Sequence, residues 1–150
     1  NFVSINSTLD SKWQLWCIGT GNLWDNRTLD NNIKHFGFVQ QEKIIDIISK
    51  AYIFVLPSKY EPWGVVLHEM VSVGKPVLVS ENVGSSSCFT NNGVNGFIFS
   101  HKKNNDFKSK MKKIMELSKD ELKKMGKESV NLSKRISIES WVQTLNKIYD

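Results

Sequence analysis

The sequence predicts an α/β domain built on a doubly wound parallel sheet, and three observations lead there. Short apolar runs alternate with longer stretches of helical periodicity, the pattern of βαβ units. Glycine or proline punctuates these segments, as at Gly19, Gly37, Pro57 and Gly74. The 150 residues, 40% apolar and 23% charged, have the size and composition of one globular domain with a real core.

The elements follow in order. Trp13-Gln14-Leu15-Trp16-Cys17-Ile18 reads as a buried strand closed by Gly19-Thr20-Gly21, with Cys17 in the core. Ile33-Lys34-His35-Phe36 is a second strand ending at Gly37. From Gln41 to Lys50, Ile44, Ile45, Ile47 and Ile48 make a helical stripe. Tyr52-Ile53-Phe54-Val55-Leu56 is a strand stopped by Pro57. Gly64 to Val73 is apolar almost all round and predicts a buried helix, which Gly74-Lys75-Pro76 breaks. Val77–Ser80 and Gly96–Phe99 are the last strands. Amphipathic helices follow over Asp106–Ser118, Lys119–Lys134 and Ile138–Tyr149. Ser118 and Ser137 suit their N-caps, and Glu139 suits a first turn. Ser137-x-x-Ser140 lacks the Glu or Gln of a capping box. Trp13, Trp16, Trp24 and Trp141 are expected in the core.

Composition excludes several function classes. No stretch approaches the length of a membrane-spanning apolar helix. The opening residues Asn1-Phe2-Val3-Ser4-Ile5-Asn6 are no signal peptide and lack an initiator Met, so a piece of a longer protein is expected, and the sparse cysteines suit a cytoplasmic one. Two cysteines, Cys17 and Cys88, and three scattered histidines predict neither a disulfide framework nor a zinc site. The net charge of +5 is uneven: twelve Lys/Arg against five Asp/Glu lie between His101 and Arg135. That span reads as a solvated helix face or, more sharply, as a peripheral contact with the inner face of a membrane. Nucleic acid is not expected, because Phe107 is the one aromatic there.

In such sheets ligands sit beyond the carboxyl ends of the strands, which directs attention to Gly19–Gly21, Gly37–Gln40, Pro57–Gly64 and Ser80–Ser87. The informative segment is Pro57-Ser58-Lys59-Tyr60-Glu61-Pro62-Trp63-Gly64-Val65-Val66-Leu67-His68-Glu69. It runs from a strand end through a turn into a helix. Gly64 leaves the first backbone N–H groups open, and the helix dipole favours an anion there. Glu61 precedes the helix and Glu69 lies more than a turn inside it, amid Val65, Val66, Leu67, Met70 and Val71. A carboxylate so placed is costly to desolvate unless it meets donors, such as sugar hydroxyls or a nearby Lys or Arg.

This segment resembles the Glu-x7-Glu signature of the family 4 retaining glycosyltransferases, whose two-domain fold is called GT-B. The matching residues are Pro57, Ser58, Glu61, Pro62, Trp63, Gly64 and Glu69. Gly74-Lys75-Pro76-Val77, Val83-Gly84 and Asn95-Gly96-Phe97 match further landmarks, as do Ile18–Gly21, Phe36–Val39 and the closing helix with Trp141. The resemblance spans about residues 13 to 149. It implies that residues 1–150 are the Rossmann-like C-terminal half of a GT-B enzyme with its first strand missing. That half binds a nucleotide-diphosphate sugar, from which a hexose passes with retention to an acceptor hydroxyl. By resemblance Glu61 is the catalytic carboxylate against the sugar, and Glu69 accepts from the ribose. Ser58 and the backbone around Trp63, Gly64 and Val65 face sugar and diphosphate. Gly37, Phe38 and Val39 lie by the base, with Gly19 and Gly21 nearby. No cofactor is implied, and the absence of Asp-x-Asp fits a metal-independent reaction.

The sequence also departs from the family. The basic pair that clamps the diphosphate has no counterpart before Trp13, Lys12 included, and the connection from Gly21 to Ile33 is short. The usual Gly-Gly-x-x-Glu loop is Gly84-Ser85-Ser86-Ser87-Cys88, with Cys88 where the acid belongs. The N-terminal acceptor domain is the expected partner, and the fragment alone is expected to bind nucleotide weakly and turn nothing over. Two rivals stand beside this reading: a GT-B sugar-nucleotide epimerase, and a docking module without catalysis. His68 is expected to pack rather than act as a base. Ser85-Ser86-Ser87 lacks a hydrolase elbow, and Cys88 has no cation beside it in sequence to activate its thiol.

Overall fold

The computed structural model describes residues 2–10 and 12–149, which form two compact units, Asn1–Ala51 and Tyr52–Asp150. All strand pairing is parallel, as the alternation of short apolar runs and helices requires. The strands hydrogen-bond in two groups, a pair in the first unit and a triplet in the second.

The first unit holds α1 (Phe2–Asn6), β1 (Leu15–Ile18), β2 (Ile33–Gly37) and α2 (Gln41–Lys50). The short α1, not anticipated from the sequence, carries this unit's buried apolar residues with the turn after it: Phe2, Ile5 and Leu9. The Asn6 carboxamide fastens the chain that leaves it, accepting from the Trp13 N–H at 2.8 Å and donating to the Trp13 carbonyl at 3.1 Å. Lys12 donates to the carbonyls of Asn6, Ser7 and Leu9 at the end of the helix, a local structural role. In the β1–β2 ladder Leu15 pairs with Ile33, and Trp16 meets Phe36 edge-on at 5.6 Å. Residues 19–32 join the two strands through turns, with no helix. Cys17 is half-buried, and that burial raises its thiol pKa. On α2, Ile44, Ile47 and Ile48 are half-buried, while Ile45 is 66% exposed.

The second unit is built around β3 (Phe54–Leu56), β4 (Val77–Ser80) and β5 (Gly96–Phe99), in that spatial order. β4 is the middle strand, and all four of its residues are buried, the signature of a strand covered on both faces. Residues in register share a face. Val77, Val79 and Ile98 therefore look toward Leu67 and Val71 of α3 (Val65–Ser72) and Phe89 of α4 (Ser86–Phe89), a four-residue helix not anticipated from the sequence. On the other face Phe97 and Phe99 meet α5 (Asp106–Met115): Phe107 lies 4.7 Å from Phe99, and the Lys113 ammonium caps the Phe97 ring. The Asp106 carboxylate accepts the Ser100 N–H at 2.8 Å and pairs with Lys110 at 3.0 Å, which together hold its pKa below the ordinary value.

α6 (Lys119–Ser133) begins with a reciprocal cap. The Ser118 N–H donates to Glu121 at 2.8 Å, and the Glu121 N–H donates to the Ser118 hydroxyl at 3.3 Å. α7 (Ile138–Tyr149) corrects a sequence expectation: Ser137 and Ser140 also exchange N–H to hydroxyl bonds, at 2.9 and 3.1 Å, so serine fills the role of the missing Glu. Trp141 is 66% exposed rather than in the core. Among the described residues no helix is long and apolar enough to cross a membrane.

Candidate functional site

β3 and β4 run side by side, and the loops that leave their carboxyl ends remain paired. Beyond Pro57, which cannot extend the ladder, the chain turns through Ser58–Gly64 and is tied at four levels. The His101 ring N–H donates to the Ser58 carbonyl at 3.2 Å, and the Asn82 carboxamide donates to the Lys59 carbonyl at 2.8 Å. The Glu61 N–H donates to Asn82 and the Gly84 N–H to Glu61, at 3.1 and 3.0 Å. Ser85 closes the series on the Trp63 carbonyl, with its N–H at 3.0 Å and its hydroxyl at 2.6 Å. The segment 82–85 thus straps down the signature turn.

Two glycines make that fit possible. A Cβ on Gly84 would lie 2.0 Å from the Pro62 carbonyl oxygen. Gly64, at φ +81°, turns the chain into α3, and a Cβ there would meet Val83 at 2.8 Å. From Gly64 the helix starts at once. No group among the described residues accepts from the N–H groups of Gly64, Val65 or Val66. These are the orphan donors of a helix start, and with the dipole they favour an anion.

The signature residues come together in this unit, though not all as expected. Glu61 is half-buried beside Gly64, and Ser58 is half-buried. Trp63 is 42% exposed and meets Phe89 edge-on at 6.4 Å. α3 is not buried all round. Leu67, Met70 and Val71 face inward, whereas Val65, Glu69 and Val73, at helical spacing, form an open stripe. Glu69 is therefore exposed, not desolvated amid its apolar neighbours. Among the described residues neither Glu61 nor Glu69 enters an ion pair or a side-chain hydrogen bond. His68, one residue earlier, turns away: its ring stacks on Phe89 at 4.3 Å and donates to the Ser133 carbonyl at 3.0 Å. Cys88 is half-buried in α4, with its own carbonyl accepting from Arg135.

The first unit places the other glycine loops. The Gly19 N–H donates to the Gly37 carbonyl at 2.7 Å, which draws the loops after β1 and β2 together. Gly37 lies under the Trp24 ring, Phe38 is 75% exposed, Val39 is half-buried and Gly21 stands open. Among the described residues no group of three or more His, Cys, Asp or Glu is arranged to hold a metal ion.

Sequence reasoning missed Asn82, Ser85 and His101 as supports of the turn. The available signal was topological: residues just past neighbouring parallel strands lie at the same level of the sheet. Asn82–Ser85 follow β4 as Ser58–Gly64 follow β3.

Comparison with known proteins bears on this geometry. The chain is 29% identical to the glycosyltransferase MJ1178 of Methanocaldococcus jannaschii, itself uncharacterised, over 99% of this chain and 43% of that protein. The sucrose-phosphate synthase of Thermosynechococcus elongatus superimposes with a TM-score of 0.73 at 19% identity, over 98% of this chain and 40% of the other. HepE of Anabaena, solved with UDP and glucose, superimposes with a TM-score of 0.74 at 17% identity, over 99% and 43%. The chain thus spans less than half the length of these proteins, and the likeness shows the GT-B type of α/β fold with parallel sheets. The family model described as "Glycosyl transferases group 1" matches residues 2–131, and on that match the chain belongs to the group 1 glycosyltransferases.

Proposed function

We propose that this chain is the donor half of a retaining hexosyltransferase. It binds a nucleotide-diphosphate sugar, and the N-terminal domain of a longer protein binds the acceptor whose hydroxyl receives the hexose. The observation that carries this reading is the strapped turn. Among the described residues, no group accepts from the N–H groups it presents at the start of α3, and no cation pairs with the two carboxylates beside them. The leaving diphosphate gains negative charge as the sugar departs, and preorganised donors stabilise that charge in a way that mobile water does not. Glu61 orients the sugar. Glu69 accepts from the ribose, and its exposure suits that role, because an unpaired carboxylate on an open face can exchange water for ligand hydroxyls at little desolvation cost. Ser58, Trp63 and Val65 line the sugar and diphosphate, while Gly19, Gly21, Gly37, Phe38 and Val39 serve the base. The reaction uses no metal or other cofactor. The relative HepE, solved with UDP-glucose, supports the donor class. The basic segment 101–135 suits peripheral contact with the inner face of a membrane during glycan synthesis.

The test is titration of the chain with UDP, GDP and ADP while tryptophan emission is followed. A saturating response to one nucleotide, with no sugar turnover by the chain alone, is expected. Flat titrations with all three would favour a docking module instead.

A further inference from the structure

Ser85 occupies the second glycine of the loop that elsewhere in the family reads Gly-Gly-x-x-Glu, and nothing in the donor reading assigns it a role. The residue is fully buried. Its hydroxyl lies 2.6 Å from the Trp63 carbonyl and 3.4 Å from that of Gly64, so its proton goes to Trp63. The same carbonyl takes the Ser85 N–H at 3.0 Å. One residue thus satisfies both lone pairs of one peptide oxygen. A buried hydroxyl already committed in this way is not a nucleophile. It is a clamp on a peptide plane.

That plane matters because it is trans and rigid. With the Trp63 carbonyl drawn toward the strap, the Gly64 N–H must point the opposite way, off the strap, where it has no acceptor among the described residues. Gly64 is the freest residue in backbone terms, so its peptide is the one that most needs an external hold. A glycine at position 85 would supply the backbone bond but not the second donor.

We propose that Ser85 is a positioning residue for the donor diphosphate: its hydroxyl locks the Trp63–Gly64 peptide so that the Gly64 N–H faces the phosphate. This rests on the donor reading above and assigns it a residue outside the Glu-x7-Glu signature.

The experiment compares nucleoside diphosphate with nucleoside monophosphate. The full chain, Ser85→Ala and Ser85→Cys are titrated by calorimetry with UDP, GDP and ADP and with the matching monophosphates. Ser85→Cys keeps the side-chain shape with a somewhat larger atom that is a poor donor, and serves if Ser85→Ala does not fold. The preference of the native chain for diphosphate over monophosphate is expected to shrink about fivefold in the variants, the worth of one hydrogen bond. A preference that stays constant overturns the proposal, whether both affinities hold or both fall together, because a merely structural serine would weaken both ligands alike. If the native chain binds none of these nucleotides, the donor reading itself fails, which is a different result from an unchanged preference.

Discussion

Two helices that look alike in sequence mark the difference between the two units. α2 in the first unit and α3 in the second each carry a dense run of aliphatic residues. α2 buries none of its residues fully, whereas Leu67 and Val71 of α3 are completely inaccessible. The strands differ in the same way: β4 is buried along its whole length, and β1 is at best half-buried. The cause is topological. β4 has a strand on each side and helices over both faces, while β1 and β2 form an isolated pair joined without a helix. A two-stranded ladder has little stability of its own. The signature turn and both carboxylates therefore stand on the better-buried unit, and the Gly19–Gly21 and Gly37–Val39 loops stand on the less buried one.

The largest effect that would sharpen this contrast is core truncation. Leu67→Ala should cost about 2–5 kcal/mol in urea unfolding, because it opens a cavity beneath the turn. Ile45→Ala, on an exposed face of α2, should change stability by no more than about 0.5 kcal/mol. Equal losses would break the comparison. Next come two glycines. Gly84→Ala drives a methyl into the Pro62 carbonyl and should lift the strap, lowering nucleotide affinity at least about tenfold with a stability cost of about 1–3 kcal/mol. Gly19→Ala meets no atom within 4 Å, so only its φ of +103° is penalised. It should cost about 1–2 kcal/mol and leave the phosphate contribution to binding intact. Calorimetry with nucleoside mono- and diphosphates separates the two.

Much of this was legible in the sequence. The bounds of α2, β4, β5 and α7 are those that Lys50, the Lys75-Pro76 break, Gly96 and Ser137 announce. Punctuation of this kind acts within a few residues, so the chain displays it locally. The strap is different. Ser85 meets Trp63 across 22 positions, and neither residue type advertises the other. The reversal of Glu69 has another cause. An apolar run that continues all round a helix does not reveal which face the sheet will cover, and α3 turns Val65 and Glu69 outward because Leu67 and Val71 pack over Val77 and Val79 of β4. The four-residue α4 and five-residue α1 were too short for periodicity to register.

The most direct test is Glu69→Ala, titrated with the nucleotide that perturbs the native chain's tryptophan emission. Glu69 is exposed, and among the described residues its carboxylate makes no ion pair or hydrogen bond, so the folded state should be unchanged, with a melting temperature within about 2 °C of native. The account predicts that this stable variant loses the nucleotide response. A Glu69→Ala chain that binds the nucleotide as tightly as the native one would contradict it.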